Sequence, residues 1–304
     1  MLLVCLNRVL VYSLSSQPVK LFSYETGENQ KGLVAMSSQT TAAGNCVIAF
    51  PGRAPGQIQV VEIPTSASNS SSKPTNPPTS IILAHNSSLS SIAVSPNGQY
   101  VASASEKGTL IRVFESKSGQ KAFEFRRGMD PAEIYSLHFN ATSTRICVAS
   151  DKGTVHVFQL SDQSVRNSTT ANTTDAAAST EEAKNRQSSL SFMAPILPKY
   201  FSSEWSFAYF KLPVETKCTC AFTYDEIKEA AAEQDPSAQP VQASNTNTAN
   251  SVNTPKLKEK IAVIGFDGSL YKYIVDEEKG GECPLETFNW FIKDEIGALG
   301  NPTA

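Results

Sequence analysis

The sequence predicts an all-β chain of repeated antiparallel sheets, a WD-type β-propeller, and three observations carry that prediction. A hairpin pattern recurs along the chain. Its turn glycines Gly108 and Gly153 stand 45 residues apart, the period of one four-stranded blade. Through residues 1–160 apolar and polar residues alternate over short runs with no long helical period, as strands require.

The hairpin copies are SASEKGTLIRVF at 103–114, ASDKGTVHVF at 149–158, IGFDGSLYKYIV at 264–275 and, more weakly, FPGRAPGQIQVVEI at 50–63. In each, a short apolar strand meets a turn in which glycine supplies a positive φ, and an alternating strand follows. A further strand and turn precede three of them: GLVAMS (32–37), LSSIAVSPNG (89–98) and IYSLHFNATS (134–143). The units so delimited are 32–85, 87–130, 132–212 and 214–300, with a partial one at 1–30. Four blades are the lower limit for a closed ring, so we expect further blades upstream of residue 1. The whole of 1–304 is then a single, incomplete propeller.

Three stretches interrupt the repeat: 64–80, 161–189 and 229–259 are rich in Ser, Thr, Asn, Ala and Pro. Their few apolar anchors cannot offset the entropy of ordering them, so they read as disordered insertions. EIKEAAAEQ at 226–234 has the composition of a short helix. The apolar start MLLVCLNRVLVYSL is broken by Asn7 and Arg8 and lacks a small-residue cleavage site, so it reads as strand–turn–strand rather than a signal peptide.

Composition narrows the function. With 26 Lys+Arg against 29 Asp+Glu and a net charge of -3, the chain lacks the basic surface of a nucleic-acid binder. Six scattered cysteines and three histidines offer no zinc-ligand spacing and fit a reduced, cytosolic protein. No G-x-S-x-G elbow, P-loop or H-E-x-x-H motif is present, so neither catalysis nor a cofactor is expected.

Chemistry concentrates at KAFEFRRGMDPAEIYSLHF, 121–139. Arg126 and Arg127 follow the alternating Phe123 and Phe125 on a predicted strand, and adjacent strand residues point to opposite faces. The two guanidinium groups should therefore serve two pockets, with Gly128 turning the backbone into the next blade. Arg112 and His156 occupy equivalent places in successive blades, each two residues before a phenylalanine. Hydroxyls cluster beside them: Ser103, Ser105 and Thr109 in one blade, Ser150 and Thr154 in the next. An arginine fork with hydroxyl donors is phosphate-binding equipment. The competing reading is a solvated strand edge, with the serines and threonines serving their turns.

FRRG at 125–128, with SASEKGTLIRVF before it and TVHVF after it, resembles the PROPPIN family of autophagy β-propellers. The similarity covers most of 1–160 and returns at LPKYFSSEWSF, 197–207. It implies a seven-bladed fold binding phosphatidylinositol 3-phosphate and the 3,5-bisphosphate at two rim sites. By this resemblance His85, Ser103, Ser105, Gly108, Thr109, Arg112 and Arg126 belong to the first site. Arg127, Gly128, Ser150, Thr154 and His156 belong to the second. The implied partners are phosphoinositide-bearing membranes and autophagy proteins such as the family's large lipid-transfer partner. The implied location is cytoplasmic, peripheral on pre-autophagosomal and endosomal membranes.

The insertion after the His156 strand ends in LSFMAPILPKYF, 190–201, where Pro195 and Pro198 rule out a central strand. Leu190, Phe192, Met193, Ile196 and Leu197 are then expected on an exposed loop. In the family a loop of this blade dips into the bilayer, and Lys199 beside these residues suits that role. The alternative function is a propeller scaffold that binds acidic peptides and no lipid.

Overall fold

The computed structural model describes residues 1–65, 76–160, 185, 204–226 and 257–290. Among them every regular element is a strand, and the strands form five sheets. The first holds β1 (Leu2–Cys5), β2 (Arg8–Tyr12) and β3 (Lys20–Glu25). Cys5 pairs with Arg8 across a two-residue turn, the strand–turn–strand predicted for the amino terminus. The second holds β4 (Ala35–Met36), β5 (Asn45–Pro51), β6 (Gln57–Pro64) and β7 (Thr79–Leu83). The third holds β8 (Leu89–Val94), β9 (Tyr100–Ser105), β10 (Leu110–Glu115) and β11 (Lys121–Arg126). The fourth holds β12 (Ile134–Phe139), β13 (Arg145–Ser150), β14 (Thr154–Gln159) and β15 (Ala208–Lys211).

The fifth begins with β16 (Cys218–Glu226), β17 (Leu257–Gly265) and β18 (Ser269–Ile274). Before it ends in β20 (Leu285–Trp290), the chain crosses to the fourth sheet as β19 (Gly281–Glu282), parallel to β15. Within each sheet all other neighbours are antiparallel and, apart from β18 and β20, consecutive.

Radial packing follows from where the apolar faces go. The first strands β4, β8, β12 and β16 neighbour one another in turn. Four clusters fill the gaps between consecutive sheets. Val9 and Tyr24 meet Phe50 and Val61, and Val60 and Ile82 meet Ile92 and Val101. Ile111 and Phe125 meet Ile146 and Phe158, and Val155 and Phe210 meet Ile261 and Tyr273. Each large side chain so buried contributes roughly 1.5–3 kcal/mol. Among the described residues no cluster joins the fifth sheet to the first, and Leu285, Phe288 and Trp290 of β20 are exposed. This is the propeller architecture the repeat predicts.

Strands reach into two of the predicted insertions. Of 64–80, the strand β7 already occupies the residues from Thr79, and of 229–259, β17 begins at Leu257. Glu259 explains the second difference. It is buried in β17, where its carboxylate takes Arg145 Nη1 at 2.7 Å, Asn140 Nδ2 at 2.9 Å and the Tyr224 hydroxyl at 3.2 Å. Breaking such a pair by removing one partner leaves a buried charge. Glu259→Ala is therefore expected to cost about 3–5 kcal/mol in denaturant unfolding. Within 161–189 only Asn185 is described. Its side-chain amide bonds both the N–H and the C=O of Gln159, at 2.8 and 2.6 Å, like a rung of a sheet. The segment proposed as a helix lies outside the described residues beyond Glu226.

Candidate functional site

The two arginines part at the end of β11. Phe123 and Phe125 are buried on one face, where Phe125 stacks on Phe158 of the next sheet with ring centroids 5.0 Å apart. Glu124 and Arg126, one residue out of phase, take the other face. That face looks toward the second sheet. Arg112, paired with Glu124 across the strands, donates from Nη1 to the Ala84 carbonyl just past β7, at 2.7 Å. Arg127 turns the opposite way, and its charge acts on His156 of the fourth sheet.

Two details differ from expectation. Arg127 lies one residue beyond the strand, not in it, its N–H held by the Thr109 carbonyl at 3.0 Å. Gly128 has no positive φ, and a Cβ there would meet open space, so the turn does not depend on glycine at that position. Gly108 is the residue that cannot change. Its φ is +61°, and a Cβ would lie 1.8 Å from the Ala132 carbonyl oxygen.

On the first face, His85 Nε2 and Ser103 Oγ are 3.0 Å apart, and Ser103 lies opposite Arg112 in the ladder. Burial, with help from the Arg112 charge, pushes the His85 pKa down to about 4, so the ring is neutral near pH 7. The Gly56 carbonyl receives the N–H groups of both Ala84 and His85 at 3.0 Å, which fixes this loop from the neighbouring blade. Ser105 and Gly108 close the β9–β10 turn through a 2.8 Å backbone bond, leading directly into Thr109. His85, Ser103 and Arg112 are thus brought together, with Arg126 on the same side of the sheet.

Sequence reasoning missed the carboxylate of this group. Glu124 Oε2 accepts from Arg112 Nε and Lys121 Nζ, each at 2.9 Å. Burial alone raises the Glu124 pKa, but the two bonded cations more than reverse it, so the group stays ionised. The signal was legible: in the register of a hairpin, residues 112 and 124 are cross-strand neighbours.

On the second face Arg127 is buried, 6% exposed, and donates to two backbone carbonyls: Nε to Gly108 at 2.7 Å and Nη2 to Asp130. His156 is pushed to about 4 by burial and then by the Arg127 charge. Its Nδ1 lies 3.2 Å from the Ser206 hydroxyl, a partner the sequence did not reveal. Ser150 and Thr154 bracket the β13–β14 turn, closed by Gly153 N–H on the Ser150 carbonyl at 3.3 Å. Thr154 Oγ1 serves the Lys152 carbonyl at 3.5 Å. The segment 204–207 runs between the two groups: the Glu204 carbonyl takes the Arg126 N–H at 2.7 Å, and Phe207 N–H bonds Val157 at 2.8 Å. Leu190, Phe192, Met193, Ile196 and Leu197 lie outside the described residues. Among the described residues no cluster of His, Cys, Asp or Glu could hold a metal ion.

The PROPPIN family profile matches residues 1–182, more than half of the chain. The chain belongs to the PROPPIN family. SVP1-like protein 2 of Emericella nidulans is 38% identical over 203 residues, covering 67% of this chain and 57% of that protein. Autophagy-related protein 18e of Arabidopsis thaliana is 33% identical, covering 90% of this PROPPIN and 56% of the relative. The chain thus spans little more than half the length of these relatives. In fold it is similar to Kluyveromyces lactis Hsv2, with a TM-score of 0.58 at 20% identity, over 96% of this chain and 74% of the other.

Proposed function

We propose that this PROPPIN is a non-catalytic effector that binds phosphatidylinositol 3-phosphate and the 3,5-bisphosphate and recruits autophagy machinery to forming autophagosomal membranes. The observation that carries this reading is the splay of Arg126 and Arg127. Two adjacent cations serve opposite faces of one sheet, each face holding a neutral histidine with a serine hydroxyl beside it. Neutral imidazole and hydroxyl both donate hydrogen bonds, and the guanidinium fork fits phosphate oxygens. Each pocket alone binds weakly, and two on one membrane add through effective concentration. The relatives named autophagy-related support the process.

The test is flotation with phosphatidylcholine vesicles carrying phosphatidylinositol 3-phosphate, with soluble inositol 1,3-bisphosphate as competitor. Binding that the soluble headgroup displaces is expected. A peptide scaffold without lipid recognition would leave the protein unfloated. A neighbour in fold, K. lactis Atg21, is known in complex with the coiled coil of Atg16. A protein partner on another surface of this chain is compatible with the lipid reading.

A further inference from the structure

The first pocket contains an anion of its own. Glu124 shares a face of β11 with Arg126, stands opposite Arg112, and draws Arg112 Nε and Lys121 Nζ to one carboxylate oxygen at 2.9 Å each. With Arg112 Nη1 on the Ala84 carbonyl, Nη2 is the corner of the fork that neither contact occupies. A phosphate entering between Arg112 and Arg126 therefore meets an Arg112 already partly neutralised, and a carboxylate of its own sign within the same cluster.

We infer that Glu124 is a charge filter that tunes the headgroup specificity of the first pocket, lowering the advantage of a more charged headgroup over one with fewer phosphates. The inference rests on the phosphoinositide reading above. Both the repulsion from Glu124 and the attraction of the arginines grow with ligand charge, so the carboxylate offsets part of the gain that each added phosphate would bring. The side chain is 19% exposed, with Lys121 at 49%, so screening weakens the effect without abolishing it. The second pocket differs. The Arg127 donors found in the structure go to carbonyls, and the Asp151 and Asp130 carboxylates act on it only through space, so the bonded carboxylate is a feature of the first.

The experiment is calorimetry on the full chain with inositol 1,3-bisphosphate and inositol 1,3,5-trisphosphate, the headgroups of the two lipids. Glu124→Gln keeps a hydrogen-bond acceptor for Arg112 and removes the charge. It should tighten binding by about threefold for the bisphosphate and about tenfold for the trisphosphate, the scale of one partly screened charge. The gain should vanish in the double variant E124Q/R126T. Glu124→Ala removes the acceptor as well as the charge. A filter predicts that this variant too shifts the ratio toward the trisphosphate. A carboxylate that only orients Arg112 predicts equal weakening for both ligands. An unchanged or equally lowered affinity in both Glu124 variants, with the parent chain still binding both headgroups, overturns the filter and leaves the lipid reading intact. A parent chain that binds neither headgroup removes both.

Discussion

Replacing Arg126 and Arg127 together by Thr is expected to reduce flotation with phosphatidylinositol 3-phosphate vesicles by about a hundredfold or more. Both guanidinium forks go, and the avidity of two linked weak sites goes with them. The two substitutions are not equal in what they do to the fold. Arg126 is half-buried, and its backbone N–H ties the strand to the Glu204 carbonyl. Arg126→Thr leaves that backbone bond in place. Arg127 is buried and holds the Gly108 and Asp130 carbonyls. Threonine cannot reach both, and the buried Gly108 carbonyl left without its donor costs roughly 1–3 kcal/mol, whereas the carbonyl of the exposed Asp130 can turn to water. The double variant should therefore be less stable as well as non-binding. Arg126→Thr alone, which keeps the Arg127 carbonyl bonds, is expected to abolish the first site and weaken flotation through lost avidity. Undiminished flotation of the double variant, with its native circular dichroism retained, would end the lipid interpretation.

The repeat was legible because each blade carries its own punctuation. Gly56, Gly108, Gly153 and Gly268 all have φ between +61° and +87°, and those residues were the turn positions read from the sequence. That Arg126 shares a face with Glu124 and not with Phe125 was legible as well, since a period of two needs no tertiary information; Arg127, past the strand end, is directed by the Gly108 and Asp130 carbonyls instead. Contacts between blades were not. Ser206 reaches His156 from 50 residues away, and Glu259 pairs with Arg145 across 114. Glu259 looked like the end of a polar insertion, because a charge that is buried and paired has the same letter as one in solvent. Gly128 erred in the other direction: a glycine after a strand invites a turn, yet this one has ordinary backbone angles. Glu124 lay between the two, since its register was readable and its electrostatic part was not.

Acidification should destabilise the free protein between about pH 6.5 and pH 4 and, over the upper part of that range, strengthen its hold on phosphate. His85 and His156 are both pushed to about 4, first by burial and then by the charges of Arg112 and Arg127 respectively. Above pH 6.5 each is neutral whether the chain is folded or not, and the native state has its full stability. As the pH falls from 6.5, the unfolded chain takes up protons that the folded chain refuses, so stability drops until both states are protonated below about 4. A depression of this size corresponds to roughly 3 kcal/mol for each histidine at the acid end. A bound phosphate dianion reverses the local balance. It favours imidazolium over imidazole and draws both pKa values back toward 6.5. Headgroup binding should then be accompanied by proton uptake near pH 6, seen as a dependence of calorimetric heat on buffer ionisation enthalpy. In NMR titrations the two histidine C–H resonances should shift their midpoints upward with inositol 1,3-bisphosphate, while His138 of β12, in neither pocket, serves as the control. If His85 and His156 titrate near 6.5 in the free protein and ignore the ligand, the two arginine–histidine cradles are not the phosphate seats.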